Sequence, residues 1–135
     1  MKLITRDTDY AIRSICYIAG QKNSVVCVSS LVKDLKIPKP FLRKILQILQ
    51  GKGILKSYKG LGGGFKLALP LHKIFLVDLI RIFKGSFKLN ECIFKNKSCP
   101  NIITCVLKKK LGAIEKYLFS QLKSISMASL LQETK

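Results

Sequence analysis

Apolar residues recur along the chain in short helical stripes, broken at one place by strand-like alternation around glycines. In "TDYAIRSICYIAG", Ile12, Ile15, Cys16 and Ala19 fall at i, i+3, i+4 and i+7. That spacing predicts a first helix with this face inward, Thr5 or Asp7 as N-cap and Gly20 as its end. "VSSLVKDLKI" predicts a short second helix, capped by Ser29, with Leu31, Val32 and Leu35 apolar. A third follows after a tight turn, in "KPFLRKILQILQGKG". Pro40 suits its first turn, where a missing N–H leaves nothing unsatisfied. Its inward face is Leu42, Ile45, Leu46 and Leu49, and "GKG" stops it. "ILKSYKGLGGGFKLALP" then reads as two short strands around a glycine-rich turn, a β-hairpin. Residues 74–84, "IFLVDLIRIFK", predict another amphipathic helix ending at Gly85. A polar, irregular stretch leads into a long helix from about residue 102. Along it Leu107, Leu111, Ile114, Leu118 and Ile125 sit near heptad spacing, a stripe able to pack on its own domain or on a partner's helix. "SMASLLQ" adds a short terminal turn.

The expected fold is mainly α with a small β-hairpin wing. Short helix, tight turn, amphipathic helix, then hairpin is the order of a winged helix-turn-helix. With the apolar face of the third helix anchored inward, Lys39, Pro40, Phe41, Arg43, Lys44 and Gln47 would present its opposite side and start to DNA. Arg and Lys donate to guanine edges and phosphates, and Gln pairs with adenine. In the wing, Lys56, Tyr58, Lys59 and Lys66 flank Gly62 and Gly63, glycines that let backbone approach a phosphate or the minor groove. Any one of these lysines alone would read as the solvated side of an amphipathic element. The ordered set of elements carries the inference.

Charge agrees with it. Among 135 residues, 25 are Lys or Arg and 7 Asp or Glu, a net charge of +18. Such a field attracts polyanions. The excess is spread, +10 over residues 1–72 and +8 over the rest, so it names a partner class but no face. A hydrophobic fraction of 48% supports a packed core. "MKLITRDTDY" lacks the apolar run of a secretion signal. No apolar stretch approaches the roughly twenty residues of a membrane span. A cytoplasmic protein without membrane association is expected, and thiols there stay reduced.

"ECIFKNKSCPNIITC" places Cys92, Cys99 and Cys105 within fifteen residues. Disulfides pair thiols two by two, and a structural zinc site takes four ligands. An iron–sulfur cluster favours soft sulfur donors and tolerates one other ligand, which leaves one iron corner open to nitric oxide, oxygen or solvent. Lys95, Lys97 and Lys108 to Lys110, with Cys105 in a first helical turn, favour thiolates. Cys16 and Cys27 read instead as small buried hydrophobes.

Taken together, "MKLITRDTDYAIRSICYIA", "SSLVKDLKIPKPFLRKILQILQGKGILKSYKGLGGGFKLA" and the three cysteines resemble the Rrf2 family of bacterial winged helix-turn-helix transcription regulators over nearly the whole length. The resemblance implies a DNA-binding domain over residues 1–72. Residues 73–135 would supply a cluster-binding loop and a dimerisation helix continuous with it. It further implies a homodimer on a palindromic operator in double-stranded DNA. In the IscR-like branch a histidine follows the last cysteine by three residues; here that residue is Lys108, and His72, the single histidine, reads as solvated. In the NsrR-like branch a carboxylate near the start of the first helix reaches across from the other subunit, and Asp9 stands at the matching place. The implied ligand set is Cys92, Cys99, Cys105 and, from the partner subunit, Asp9, around a 4Fe–4S cluster with 2Fe–2S as the alternative. Asp7 and Glu91 stay open as fourth ligands.

The function so implied is a regulator, repressing by default, whose operator affinity follows cluster status, redox or nitric oxide. A zinc or thiol switch on the same fold, and a small basic RNA-binding protein, are the rivals. With no nucleophile–base pair and no convergent carboxylates, an enzyme is not expected.

Overall fold

The structure, a computed structural model, describes residues 3–21, 24–85 and 106–133. Helix α1 spans Arg6–Gly20 and is capped by Thr5, whose hydroxyl accepts from the Thr8 N–H, while Asp7 and Asp9 complement the helix dipole in the first turn. Its buried residues are Thr8, Ala11, Ser14, Ile15 and Ile18. The expected stripe of Ile12, Ile15, Cys16 and Ala19 is therefore rotated, with Ile12, Cys16 and Ala19 only half-buried. The reason is position: α1 is central, and small residues on its buried side allow close approach by its neighbours. The two buried hydroxyls are satisfied locally, Ser14 Oγ donating to the Tyr10 carbonyl at 2.8 Å and Thr8 bonding the Thr5 hydroxyl at 2.9 Å.

Helix α2 spans Val28–Leu35, so its N-cap position is Cys27 and not the expected Ser29. It ends at Lys36 in the left-handed region, φ 56°, whose N–H donates to the Val32 carbonyl. Helix α3 spans Lys39–Gly51 and buries Leu42, Ile45, Leu46 and Leu49, the expected face. Strands β1, Leu55–Tyr58, and β2, Gly64–Leu67, pair antiparallel with Leu55 opposite Leu67 and Tyr58 opposite Gly64. Val26 adds an antiparallel bridge to Phe65, exchanging both backbone hydrogen bonds at 2.8 Å. The segment before α2 is thus stitched to the wing, a pairing that alternation in "VVCV" did not disclose.

A 3₁₀ turn at Leu71–Lys73 precedes helix α4, Leu76–Lys84. This helix starts two residues later than expected because Phe75 is extended and bridges Ser126. Leu76 N–H donates to the Ile125 carbonyl at 2.9 Å, and Met127 N–H to Ile74 at 2.8 Å. The terminal segment is accordingly a helix, α6, Met127–Glu133, and not merely a turn. Met127 is wholly buried in the core with Ala11, Ile15, Leu31, Leu46, Leu49 and Leu79.

Helix α5 spans Val106–Lys123, and its start near residue 102 lies outside the described residues. Only Leu122 is buried, against Val77 and Ile80 of α4. Of the expected stripe, Leu111 and Leu118 are half-buried and Ile125 follows the helix end, while Leu107 and Ile114 are 66% and 52% exposed. Val106 and Tyr117 are exposed beside them. None of the helices among the described residues is long and apolar enough to cross a membrane.

Candidate nucleic-acid interface

Four buried aliphatic residues pin α3, and this decides where its polar side points. Lys39, Pro40, Phe41, Arg43, Lys44 and Gln47 are all exposed. The helix carries no carboxylate, and Lys39, Arg43 and Lys44 form no ion pair among the described residues. No side chain caps its start at Pro38. Asp34, the nearest acid in sequence, is occupied elsewhere: the Tyr17 hydroxyl donates to its carboxylate across α1 and α2, which raises the Tyr17 phenol above its usual range. The structure thus brings the six expected α3 residues together on one open surface.

The wing places its charges less economically for stability. Lys56 and Lys66 stand directly opposite in the hairpin register, a like-charge pair that opposes the pairing. Lys56, Tyr58 and Lys59 are exposed, and Lys66 half-buried. The glycines divide by role. Gly60 and Gly62 have φ of 91° and 77° and shape the tip. A Cβ on Gly63 would collide with the carbonyl oxygens of Tyr58 and Gly60, and one on Gly64 with the Val26 backbone. Closure of the wing, and its seat on the segment before α2, therefore account for Gly63 and Gly64. Gly62 is exposed and Gly63 half-buried.

Sequence reading missed two neighbours of this surface. The Arg6 guanidinium lies over the Phe41 ring at 4.6 Å from its centroid, joining the start of α1 to the start of α3. Cys27, expected to be a buried hydrophobe, is half-buried beside the wing glycines. Its Sγ hydrogen-bonds Ser29 and Ser30 hydroxyls at 3.2 and 3.0 Å, and those bonds lower its pKa from 9.0 to about 7. Cys16, also half-buried, has its thiol raised by burial. A helix that starts one residue earlier than Ser29 turns both serine hydroxyls back on the thiol. The Ser29–Ser30 pair, two and three residues after Cys27, was the available signal.

Cys92, Cys99 and Cys105, with the alternative fourth ligand Glu91, lie outside the described residues, while Asp7 is half-buried in the first turn of α1. Among the described residues no three His, Cys, Asp or Glu side chains gather at metal-binding spacing. Asp9 sits in the first turn of α1, its side chain 43% exposed and its Oδ2 accepting from Arg13 Nε at 3.0 Å. His72 is exposed in the 3₁₀ turn.

Comparison with known proteins gives this surface a context. The family model "Rrf2: Iron-dependent Transcriptional regulator" matches residues 4–133. The HTH-type transcriptional regulator NsrR of Bacillus subtilis is 29% identical over 114 residues, covering 83% of this chain and 77% of that protein. Among solved structures, CymR, the global cysteine regulator of B. subtilis, superposes with a TM-score of 0.80 at 20% identity, covering all of both chains. IscR of T. potens superposes with a TM-score of 0.73 at 23% identity, covering all of this chain and 89% of that one. Both likenesses establish the fold.

Proposed function

The chain belongs to the Rrf2 family of transcriptional regulators, and on that premise we propose that it is a homodimeric repressor whose hold on a palindromic operator is set by an iron–sulfur cluster. The observation that carries the DNA-reading half is α3: its apolar face is fully engaged, and its cationic and amide side chains stand exposed on a helix without a single carboxylate. In this reading the start of α3 enters the major groove, Arg43, Lys44 and Gln47 meet base edges and phosphates, and the lysine-bearing wing follows the flanking groove. The unfavourable Lys56–Lys66 register supports the wing's share, since a polyanion between the two lysines relieves their repulsion.

The second copy would cover α5. Val106, Leu107, Ile114 and Tyr117 form an exposed apolar series along one helix, and a second copy of the same helix is the occupant the family resemblance implies.

Three thiols within fifteen residues and a carboxylate at the start of α1 are a donor set that suits a 4Fe–4S cluster, with three soft sulfurs and one exchangeable oxygen. When bound, the cluster supplies an iron site reactive towards nitric oxide and oxygen. Cys92, Cys99 and Cys105 would hold it, with the partner subunit's Asp9 as fourth ligand. Asp9 would have to share or release its Arg13 contact to do so, and Oδ1 makes no hydrogen bond among the described residues. Ligation across the subunit seam would fix the relative pose of two reading heads that must meet half-sites about one DNA turn apart. Loss of the cluster would free that pose and weaken repression.

Iron and sulfide analysis of protein purified without oxygen tests the cluster. Wild type should be brown with matching iron and sulfide, Cys99→Ala colourless, and Asp9→Ala coloured but more quickly bleached. Colourless wild type holding stoichiometric zinc would replace the cluster with a zinc-thiolate switch. An unchanged spectrum and lifetime in Asp9→Ala would remove Asp9 and leave the thiols.

A further inference from the structure

Arg6 occupies the first residue of α1, where a cation faces the positive end of the helix dipole. Helix stability therefore gives no reason for it, in contrast to Asp7 and Asp9 in the same turn. What holds it is Phe41, whose ring it covers at 4.6 Å. Phe41 in turn is 42% exposed in the first turn of α3. The guanidinium makes no hydrogen bond and no ion pair among the described residues; Asp9, three residues along, pairs through Oδ2 with Arg13 instead. A planar cation is thus fixed against an aromatic face while its donor edges stay unused. Stacking restricts the side chain before any ligand arrives, and an arginine fork held this way matches a phosphate with two parallel hydrogen bonds.

We infer that Arg6 is a further DNA-contacting residue, which Phe41 positions to grip a backbone phosphate beside the groove entered by α3. This rests on the reading of α3 proposed above. It adds α1 to the interface and gives Phe41 a task other than touching a base: it orients the arginine. A phosphate contact carries no sequence information. Arg6 therefore contributes equally on any duplex and fixes register, while α3 reads the bases. Because Arg6 and Asp9 share the first turn of α1, the contact also stands next to the carboxylate proposed for the cluster.

The test uses full-length protein and a duplex selected by the wild type from a randomised pool, with a scrambled duplex beside it. Kd is measured from about 50 to 200 mM salt. Arg6→Ala should weaken both duplexes by a similar factor, about 3- to 10-fold, and reduce the salt slope by about 1, the loss of one phosphate contact. Arg6→Lys should restore the slope but not the whole affinity, since an ammonium keeps the charge and loses the fork. In a Phe41→Leu background, Arg6→Ala should cost less than in the wild type. Thermal melting of each variant verifies that the fold persists. An Arg6→Ala protein with wild-type affinity and slope overturns the inference. So does an equal cost of Arg6→Ala with Phe41 present or absent. Wild type that binds selected and scrambled duplexes alike would instead bring down the reading of α3, a distinct result.

Discussion

Lys56 on β1 faces Lys66 on β2 directly across the wing hairpin, so the two ammonium-bearing side chains share one side of a two-stranded sheet. Opposed like charges weaken a cross-strand pair by a few tenths of a kcal/mol. Lys66→Thr should therefore raise the melting temperature slightly. The same change should weaken duplex binding and lower its salt slope by about 1. Stability and affinity moving in opposite directions is the signature of a charge placed for a polyanion. A variant that keeps wild-type affinity and salt slope would make the lysine part of an ordinary solvated edge.

Gly63 serves the wing through space, since its φ is not positive. Its missing Cβ leaves room for the Tyr58 and Gly60 carbonyls. Gly63→Ala should cost about 1–3 kcal/mol in denaturant unfolding, the range of a forced overpacking. Gly62→Ala meets no atom within 4 Å, and only its positive φ opposes it, so it should cost about 1 kcal/mol. Equal costs at the two positions would contradict this division.

Cys27 should be the faster thiol of the two described. Its hydrogen bonds to Ser29 and Ser30 favour the thiolate and bring the pKa from 9.0 to about 7. Alkylation by iodoacetamide, followed site by site by mass spectrometry, should rise with pH and level off above about 7. At Cys16, where burial raises the pKa, the rate should still be climbing. Ser30→Ala should move the Cys27 midpoint upward. The sign for stability follows from the same shift: the thiolate contributes above the ordinary value of 9.0 and its contribution fades as pH falls through about 7.

Met127 ties α6 into the core it shares with Ala11, Ile15 and Leu46. Its side chain is fully buried, and its N–H donates to Ile74. Met127→Ala should cost about 2–5 kcal/mol, the usual range for a buried Met. A cost below about 0.5 kcal/mol would place α6 outside the cooperative unit.

The sequence disclosed most where one period dominates. In α3, Leu42, Ile45, Leu46 and Leu49 have a single buried face, so the exposed set of Arg43, Lys44 and Gln47 followed directly. The hairpin was legible from its glycines. The extent and Thr5 cap of α1 were legible too, but its buried face was not, because a central helix is covered on several sides, and Thr8 and Ser14 are buried through local hydrogen bonds that no hydropathy pattern reveals. Contacts between distant segments were invisible for a plainer reason. Val26 with Phe65, Phe75 with Ser126, and Arg6 with Phe41 depend on how elements meet, and no local rule encodes such a meeting.

One coupling is central to the proposed function, that between an iron–sulfur cluster and the operator. It is tested by measuring Kd for the selected duplex, without oxygen, for iron-loaded wild type, for the same sample after nitric oxide treatment, and for a variant with Cys92, Cys99 and Cys105 all replaced by alanine. The loaded protein should bind at least tenfold more tightly than the other two, which should agree with each other. Identical affinities in all three would contradict cluster control and leave a basic winged-helix DNA binder.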